Sequence, residues 1–481
     1  MISPRLRELF GLIPVTLLVT AGFAGVLITR SDQIQDATLT YGAFFLVLCV
    51  LGHLFLRARL PNADPYLFPL AALLAAVGLV EIYRIDPELA RKQAQWFVGG
   101  LAFFCATIYF LRDHHALERY RYTIAAASIL LLIMPRLPGI GGQTNGAYLA
   151  ISVGPIQFQP AEFAKLGIIV FLASYLREAG DVLVRPRLRP PPLPRQALIY
   201  GLPLLGALLL ILLLHLSVAG AVLLLVFTLS LVAVLRERPS LKHFGPLLLV
   251  WGLAMLMLIF IRDLGSSLMF FGGFLALLYL ATSRMAMVGV GASMFFAGSM
   301  FFANRITHVH ERVDTWLHPF SPGIVDKEGY QIAQGLFAQA DGGLFGQGFG
   351  QALLQLPGGG TILPAPHTDL IYAVVVNETG LFGGAALVIV YLLLSARGFR
   401  IATLANDGFS KLLAAGLTTV LALQVFVIVG GVTKVIPLTG VTLPFVSYGG
   451  SSIVANMVLL ALLLVVSEHA RSEHGRRGGL V

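Results

Sequence analysis

Apolar runs of roughly 20 residues recur along the whole chain, and each is long enough to cross a bilayer. They lie near Gly11–Thr29, Tyr41–Leu56, Tyr66–Tyr83, Ala94–Leu111, Tyr122–Met134, Ala161–Leu176 and Ala197–Leu214. Further runs lie near Ser217–Leu235, Phe244–Ile261, Leu264–Ala281, Met285–Ala303, Leu370–Leu394, Leu412–Val432 and Ser452–Val466. Most lack the polar face that helices of a soluble core carry. The pattern predicts an all-α polytopic membrane protein with about 14 spans. The pairs Ala197–Leu214/Ser217–Leu235 and Phe244–Ile261/Leu264–Ala281 have very short connections. They read as tight hairpins, or one pair is re-entrant. No repeat of fixed period is visible.

Composition agrees. The chain is 57% hydrophobic and 12% charged, roughly half the charge fraction of a soluble domain. Its net charge of +9 sits mostly in short loops beside apolar runs. No basic stripe with interleaved aromatics suggests nucleic acid. The positive-inside rule orients the chain with its N-terminus inside: inner loops then hold about 22 of the Lys and Arg residues, and outer loops about 10. Arg185, Arg187, Arg189 and Arg195, among Pro190–Pro192 and Pro194, mark a cytoplasmic linker. The C-terminal Arg471, Arg476 and Arg477 also fall inside. The expectation is a multi-pass membrane protein with both termini cytoplasmic. The start, with Arg5 and Arg7 before an apolar run, reads as a retained helix rather than a cleaved signal. Cys49 and Cys105 lie within apolar runs, where neither a disulfide framework nor a metal site is expected.

The same orientation leaves two polar segments outside. Asn304–Asp369 is long enough to be functional, and it contains a helical stretch over Tyr330–Ala340. It gathers His310, Glu311, Arg312, Asp314, His318, Asp326, Lys327, Glu328, Asp341, His367 and Asp369. Solvation of a loop explains any one of these better than it explains the set. The run Gly346-Gln347-Gly348-Phe349-Gly350 lacks a preceding strand, so a dinucleotide fingerprint is excluded. A tight loop over a sugar or pyrophosphate fits better. The second segment, Thr433–Ser451, is dense in Pro, Gly and Ser and cannot form a regular helix. Irregular backbone at membrane depth persists only when buried in protein or lining a cavity, so this segment predicts a cavity wall.

Within it, Pro437-x-Thr439-Gly440-x-x-x-Pro444-Phe445-x-Ser447-x-Gly449-Gly450-Ser451 resembles the signature of the SEDS family, which includes RodA, FtsW and SpoVE proteins. Three more blocks are similar to that family in the same order: Gln159-Pro160-Ala161-Glu162-Phe163-Ala164-Lys165, Asp263-Leu264-Gly265-Ser266-Ser267, and His367-Thr368-Asp369 with Glu378. The family usually has ten spans. The resemblance therefore implies an extra N-terminal pair in residues 1–65 and a SEDS-like domain over 66–481. It also implies an inserted pair near 197–235 and a catalytic loop over 304–368. Where the family has Asp-Pro-x-Gly-x-Gly-Tyr-Gln, this chain has Asp326-Lys327-Glu328-Gly329-Tyr330-Gln331.

The resemblance implies polymerisation of lipid II on the outer face of the bacterial inner membrane, in elongation or division, with a class B penicillin-binding protein as partner. Such chemistry needs a base at the acceptor hydroxyl and positive charge at the departing undecaprenyl pyrophosphate. Asp326 is the candidate base, with Glu328 behind it. Arg312, Arg262 and Lys434 are candidates for the phosphate side. A divalent cation, Mg or Mn, is a further candidate, although no ligand cluster is evident. Glu162, Lys165, Asp263, His367, Asp369, Ser447, Gly449 and Gly450 are the remaining candidates for substrate contact. Glu162 and Lys165, at i and i+3, can equally form a structural ion pair, and Thr368 or Asp369 can equally be a helix N-cap. Two rival functions stay open. A lipid II flippase would show inverted repeats, which are not visible. A non-catalytic scaffold for the penicillin-binding protein would not need its carboxylates.

Overall fold

The computed structural model of the protein describes residues 3–29, 37–137, 141–144, 147–153, 156–183, 201–214, 218–236, 252–253, 263–303, 307–352, 354 and 362–478. Its helices follow the apolar runs, because lipid offers backbone N–H and C=O groups no partner outside the segment itself. In order they are α1 Pro4–Thr29, α2 Ala37–Arg59, α3 Leu67–Ile85, α4 Pro87–Phe110, α5 Ala116–Arg119 and α6 Arg121–Ile133. Then come α7 Ala161–Leu183, α8 Leu202–Leu214, α9 Val218–Arg236, α10 Leu264–Thr282, α11 Met285–Ala303 and α12 Thr307–Leu317. The last four are α13 Tyr330–Gly342, α14 Ile371–Leu404, α15 Gly408–Val432 and α16 Gly450–Gly478. Among the described residues, seven helices are long and apolar enough to cross a membrane, and three shorter apolar helices accompany them. The run Phe244–Ile261 lies almost wholly outside the described residues, as do Arg262 and the proline-rich linker.

The fold is mostly helical, as the apolar pattern predicts, with one short sheet that the pattern does not predict. Between α6 and α7 the chain forms a three-stranded antiparallel sheet: β1 Gly141–Thr144, β2 Ala147–Val153 and β3 Ile156–Phe158. Ile151 pairs with Gly141 on one side and Phe158 on the other. The segment is too short and too polar to span, and its β-branched and aromatic residues suit a pleated surface.

Helices α15 and α16 form the centre, with most of their residues buried. The N-terminal pair is packed into this bundle: α1 lies against α2 and α3, and α2 against α4. At their ends Glu8 Oε1 takes His53 Nδ1 at 2.8 Å, while Arg5 pairs with Glu8 and donates to the Ala63 carbonyl at 2.6 Å. Next to it the buried Asp64 carboxylate receives both Arg397 and Arg471. Buried charges survive only when paired in this way.

Helix α14 is broken at Gly380, where φ is +71°. A Cβ there would stand 2.3 Å from the Leu344 carbonyl, so the break seats the glycine-rich loop. Gln347 N–H donates to the Asn377 carbonyl at 2.9 Å, Gly348 N–H to the Glu378 carbonyl at 3.1 Å, and Gly350 N–H to Glu378 Oε2 at 2.8 Å. The sequence suggested amides free for a sugar or pyrophosphate; these are spent on α14 instead. Buried Arg84 completes the anchor, forming an ion pair with Glu378 Oε1 at 2.7 Å and donating to the Ala352 carbonyl at 2.8 Å.

Candidate active site

The wall, the segment between α15 and α16, is irregular and largely buried in protein from Val441 to Ser447, which is one of the two settings where irregular backbone persists at membrane depth. Three of its residues hold left-handed backbone: Lys434 at φ +62°, Gly440 at +69° and Phe445 at +66°. Strain in non-glycine residues persists only where the surroundings over-determine it, and the neighbours supply that. Buried Tyr391 donates its hydroxyl to the Pro444 carbonyl at 2.6 Å. Ser447 Oγ donates to the Thr368 carbonyl at 2.7 Å and accepts the Leu443 N–H at 2.9 Å. Tyr448 N–H donates to the His367 carbonyl at 2.8 Å, and the two rings meet edge-on at 5.8 Å. The two polar segments are therefore one unit.

Helix α4 grips the wall from the other side. Gln93 donates to the Ser447 carbonyl at 3.1 Å and accepts the Gly449 N–H at 3.2 Å. Trp96 lies so close that a Cβ on Gly450 would stand 2.1 Å from its ring. Gly449 and Gly450 thus serve close packing. Neither Gln93 nor Trp96 stands out in the sequence, since each is a single polar or aromatic residue within a helical run.

The charged candidates meet behind this wall. Asp263, 5% exposed, caps α10 by accepting the Ser266 N–H at 2.9 Å. Burial raises its pKa, while the Ser266 bonds and the Arg312 charge oppose that shift and Glu162 reinforces it. Arg312 donates to the wall at the Leu438 carbonyl, 3.0 Å away. Asp369 is also raised by burial, opposed by a bond from the Gln331 side chain and by Arg312. Arg312 is thus the charge that Asp263 and Asp369 share. Burial lowers the His367 pKa, with Asp86 opposing. Neither Thr368 nor Asp369 caps α14: that position is Leu370, without a side-chain bond.

Glu162 and Lys165 face each other at 2.5 Å, both buried, and Lys165 also donates to Gln424 Oε1 at 2.7 Å. Gln424 in turn donates to the wall at the Thr442 carbonyl, 2.8 Å away. This amide is another participant that the sequence did not single out. Lys434 lies at the wall's start, its Nζ 3.5 Å from the Leu317 carbonyl, and Trp316 donates to the Lys434 carbonyl at 3.1 Å.

Asp326 stands apart from this cluster, exposed in the turn before α13, with Lys327 and Glu328 exposed beside it. It is tethered to the cluster through Gln331, which bonds Asp369. Five residues of chain reach at most about 18 Å, so Asp326 lies within that distance of Gln331. The arrangement offers an accessible carboxylate on the chain that leads, through Gln331, to a half-buried patch of cations and hydrogen-bond donors. That combination suits removal of a hydroxyl proton near a developing anion.

The chain matches the family of FtsW, RodA and SpoVE cell cycle proteins over residues 66–472. It is 38% identical to the peptidoglycan glycosyltransferase RodA of Mycobacterium tuberculosis, over 93% of this chain and 88% of that one. It is 27% identical to stage V sporulation protein E of Bacillus subtilis, over 85% and 98% of the two chains. Among solved structures it is similar to a chain from a peptidoglycan synthase complex described as coordinating polymerization and crosslinking. That match has 26% identity and a TM-score of 0.57, covering 85% of this chain and 98% of that one. The rod shape determining protein RodA of Thermus thermophilus aligns at 25% identity and a TM-score of 0.51, covering 85% and 97%.

Proposed function

Because this chain belongs to the family of FtsW, RodA and SpoVE cell cycle proteins, we propose that it is a membrane peptidoglycan glycosyltransferase that polymerises lipid II. The acceptor is the 4-hydroxyl of the GlcNAc of one lipid II, and the donor is a glycan strand on undecaprenyl pyrophosphate. The hydroxyl oxygen attacks the anomeric carbon, the carbon–pyrophosphate bond breaks, and the hydroxyl proton passes to Asp326. The leaving pyrophosphate takes the bonding electrons and is met by Arg312 and Lys434. Asp263 and Asp369 hold the Arg312 charge in place, with the Glu162–Lys165 pair, His367, Ser447, Gly449 and Gly450 shaping the substrate face. The observation that carries this reading is the pair of carboxyls, buried Asp263 and half-buried Asp369, sharing Arg312 at the wall.

The catalytic loop 304–368 lies on the outer face in this reading, and both termini are cytoplasmic. Residues 1–65 add a helix pair to the family domain at 66–481, and 197–235 adds another. A class B penicillin-binding protein is the partner, supported by the likeness to a chain of a synthase complex. Purified protein with that partner should convert labelled lipid II into a ladder of glycan strands. A flippase or a scaffold would yield no ladder.

A further inference from the structure

At the end of the bundle away from the wall, three elements bring histidines and acids together. An α-helix rises about 1.5 Å per residue, which places His469 roughly 28 Å along α16 from Gly450. Asp113 and His114 stand in the turn between α4 and α5, and Ser410 opens α15. A carboxylate oxygen of Asp113 and one ring nitrogen each of His114 and His469 lie within 4.8 Å of one another.

The hydrogen bonds select which ring atoms are available. His114 Nε2 is with the Ser410 hydroxyl at 2.5 Å, and His469 Nδ1 with the Val465 carbonyl at 2.9 Å. His114 Nδ1 is left buried with no hydrogen-bond partner, although the ring is only 1% exposed. A buried polar atom without a partner is costly and calls for a ligand. A histidine that binds a metal characteristically gives its other N–H to a carbonyl, carboxylate or water. Val465 and Ser410 are placed to accept those two protons. The neighbouring set of His114, His115 and Asp407 has less to offer. Its Asp407 Oδ1 caps α15 through Ser410 N–H, and its His115 Nδ1 already faces Glu118 at 3.2 Å.

We propose that Asp113, His114 and His469 bind a divalent first-row transition metal, zinc above all, at the end of the bundle away from the catalytic loop. Two imidazoles and one carboxylate suit zinc, with water as a fourth ligand; magnesium and calcium take oxygen sets. Asp113 Oδ1 accepts the His115 N–H at 2.9 Å, which leaves Oδ2 for the ion, and small side-chain rotations of half-exposed His469 and exposed Asp113 would close the remaining gap. The ion would tie the α4–α5 turn to α16. At its other end α4 holds the wall through Gln93 and Trp96, just where α16 begins. The metal is thus a clamp on the helix pair that fixes the site, with no part in the chemistry.

The test uses the full chain, purified in detergent without a histidine tag and stripped with a chelator. Re-loading should restore about one zinc per chain and raise the melting temperature. Cobalt in its place should give the visible absorption of a low-coordinate imidazole site. His469→Gln and Asp113→Asn should each weaken binding at least tenfold and abolish the zinc-dependent rise in melting temperature. His318→Gln, on the loop at the other end, should change neither. A wild-type chain without cobalt absorption overturns the proposal. So does equal zinc uptake by wild type and His469→Gln. If either ligand variant fails to fold, the cobalt spectrum of the wild type still decides.

Discussion

Glu162 and Lys165 meet at 2.5 Å, one helical turn apart and both buried, and Gln424 takes a second bond from the same ammonium. Removing one member leaves the other charge uncompensated, at a cost of about 3–5 kcal/mol. Glu162→Ala and Lys165→Ala should therefore both lower folded yield and melting temperature in detergent. Gln424→Leu should do so less, since it deletes a neutral partner. If both charge variants melt like the wild type and lose only polymerisation, the pair serves substrate and not structure.

Gly450 sits under Trp96, with room for no Cβ. Gly450→Ala must push the indole or the start of α16 away, and overpacking of this kind costs typically about 1–3 kcal/mol. Lower thermal stability is expected, and Trp96→Leu in the same chain should restore part of it. Unchanged stability of Gly450→Ala would mean that the helix start is looser than described.

Asp263 gives a pH dependence with a definite sign. Burial raises its pKa above the ordinary 3.8, so the folded protein holds the proton to higher pH than the unfolded chain does. The stability linked to this group is present at low pH and is lost as pH rises through the interval between the two values. Asparagine keeps the cap but does not titrate. The melting temperature of the wild type relative to Asp263→Asn should thus fall as pH rises above the ordinary carboxyl value of 3.8. A constant difference would show that the carboxyl is not desolvated.

Much of the fold was legible in the sequence because lipid forces long apolar runs into helices. The wall was legible for the same reason: a segment with Pro437, Gly440, Pro444, Gly449 and Gly450 cannot be regular. What escaped depends on contacts distant in sequence. The amides of Gln347, Gly348 and Gly350 look free until α14 is folded against them. Gln93, Trp96, Gln424 and Gln331 acquire their roles only from the wall and Asp369. The sheet at 141–158 lay hidden between spans, although Tyr148, Ile151 and Val153 are strand-formers. His114 and His469, separated by most of the chain, carried no local motif.

Orientation can be tested independently of chemistry. Gln351 is exposed at the end of the glycine-rich loop. A cysteine there, in a chain whose Cys49 and Cys105 are replaced, should react with an impermeant reagent on intact cells. Reaction only after permeabilisation would put the loop on the cytoplasmic face.

The most direct test of the account is the polymerisation rate of Asp326→Asn. Asparagine keeps the size of the side chain but cannot take the acceptor proton, and a general base typically contributes about 10²–10⁴-fold. Asp326 is exposed, so expression, melting temperature and partner binding should stay close to wild type. Purified Asp326→Asn with its partner should therefore form glycan from labelled lipid II at no more than about a hundredth of the wild-type rate. A rate above about a tenth of wild type would contradict the assignment and move attention to Glu328.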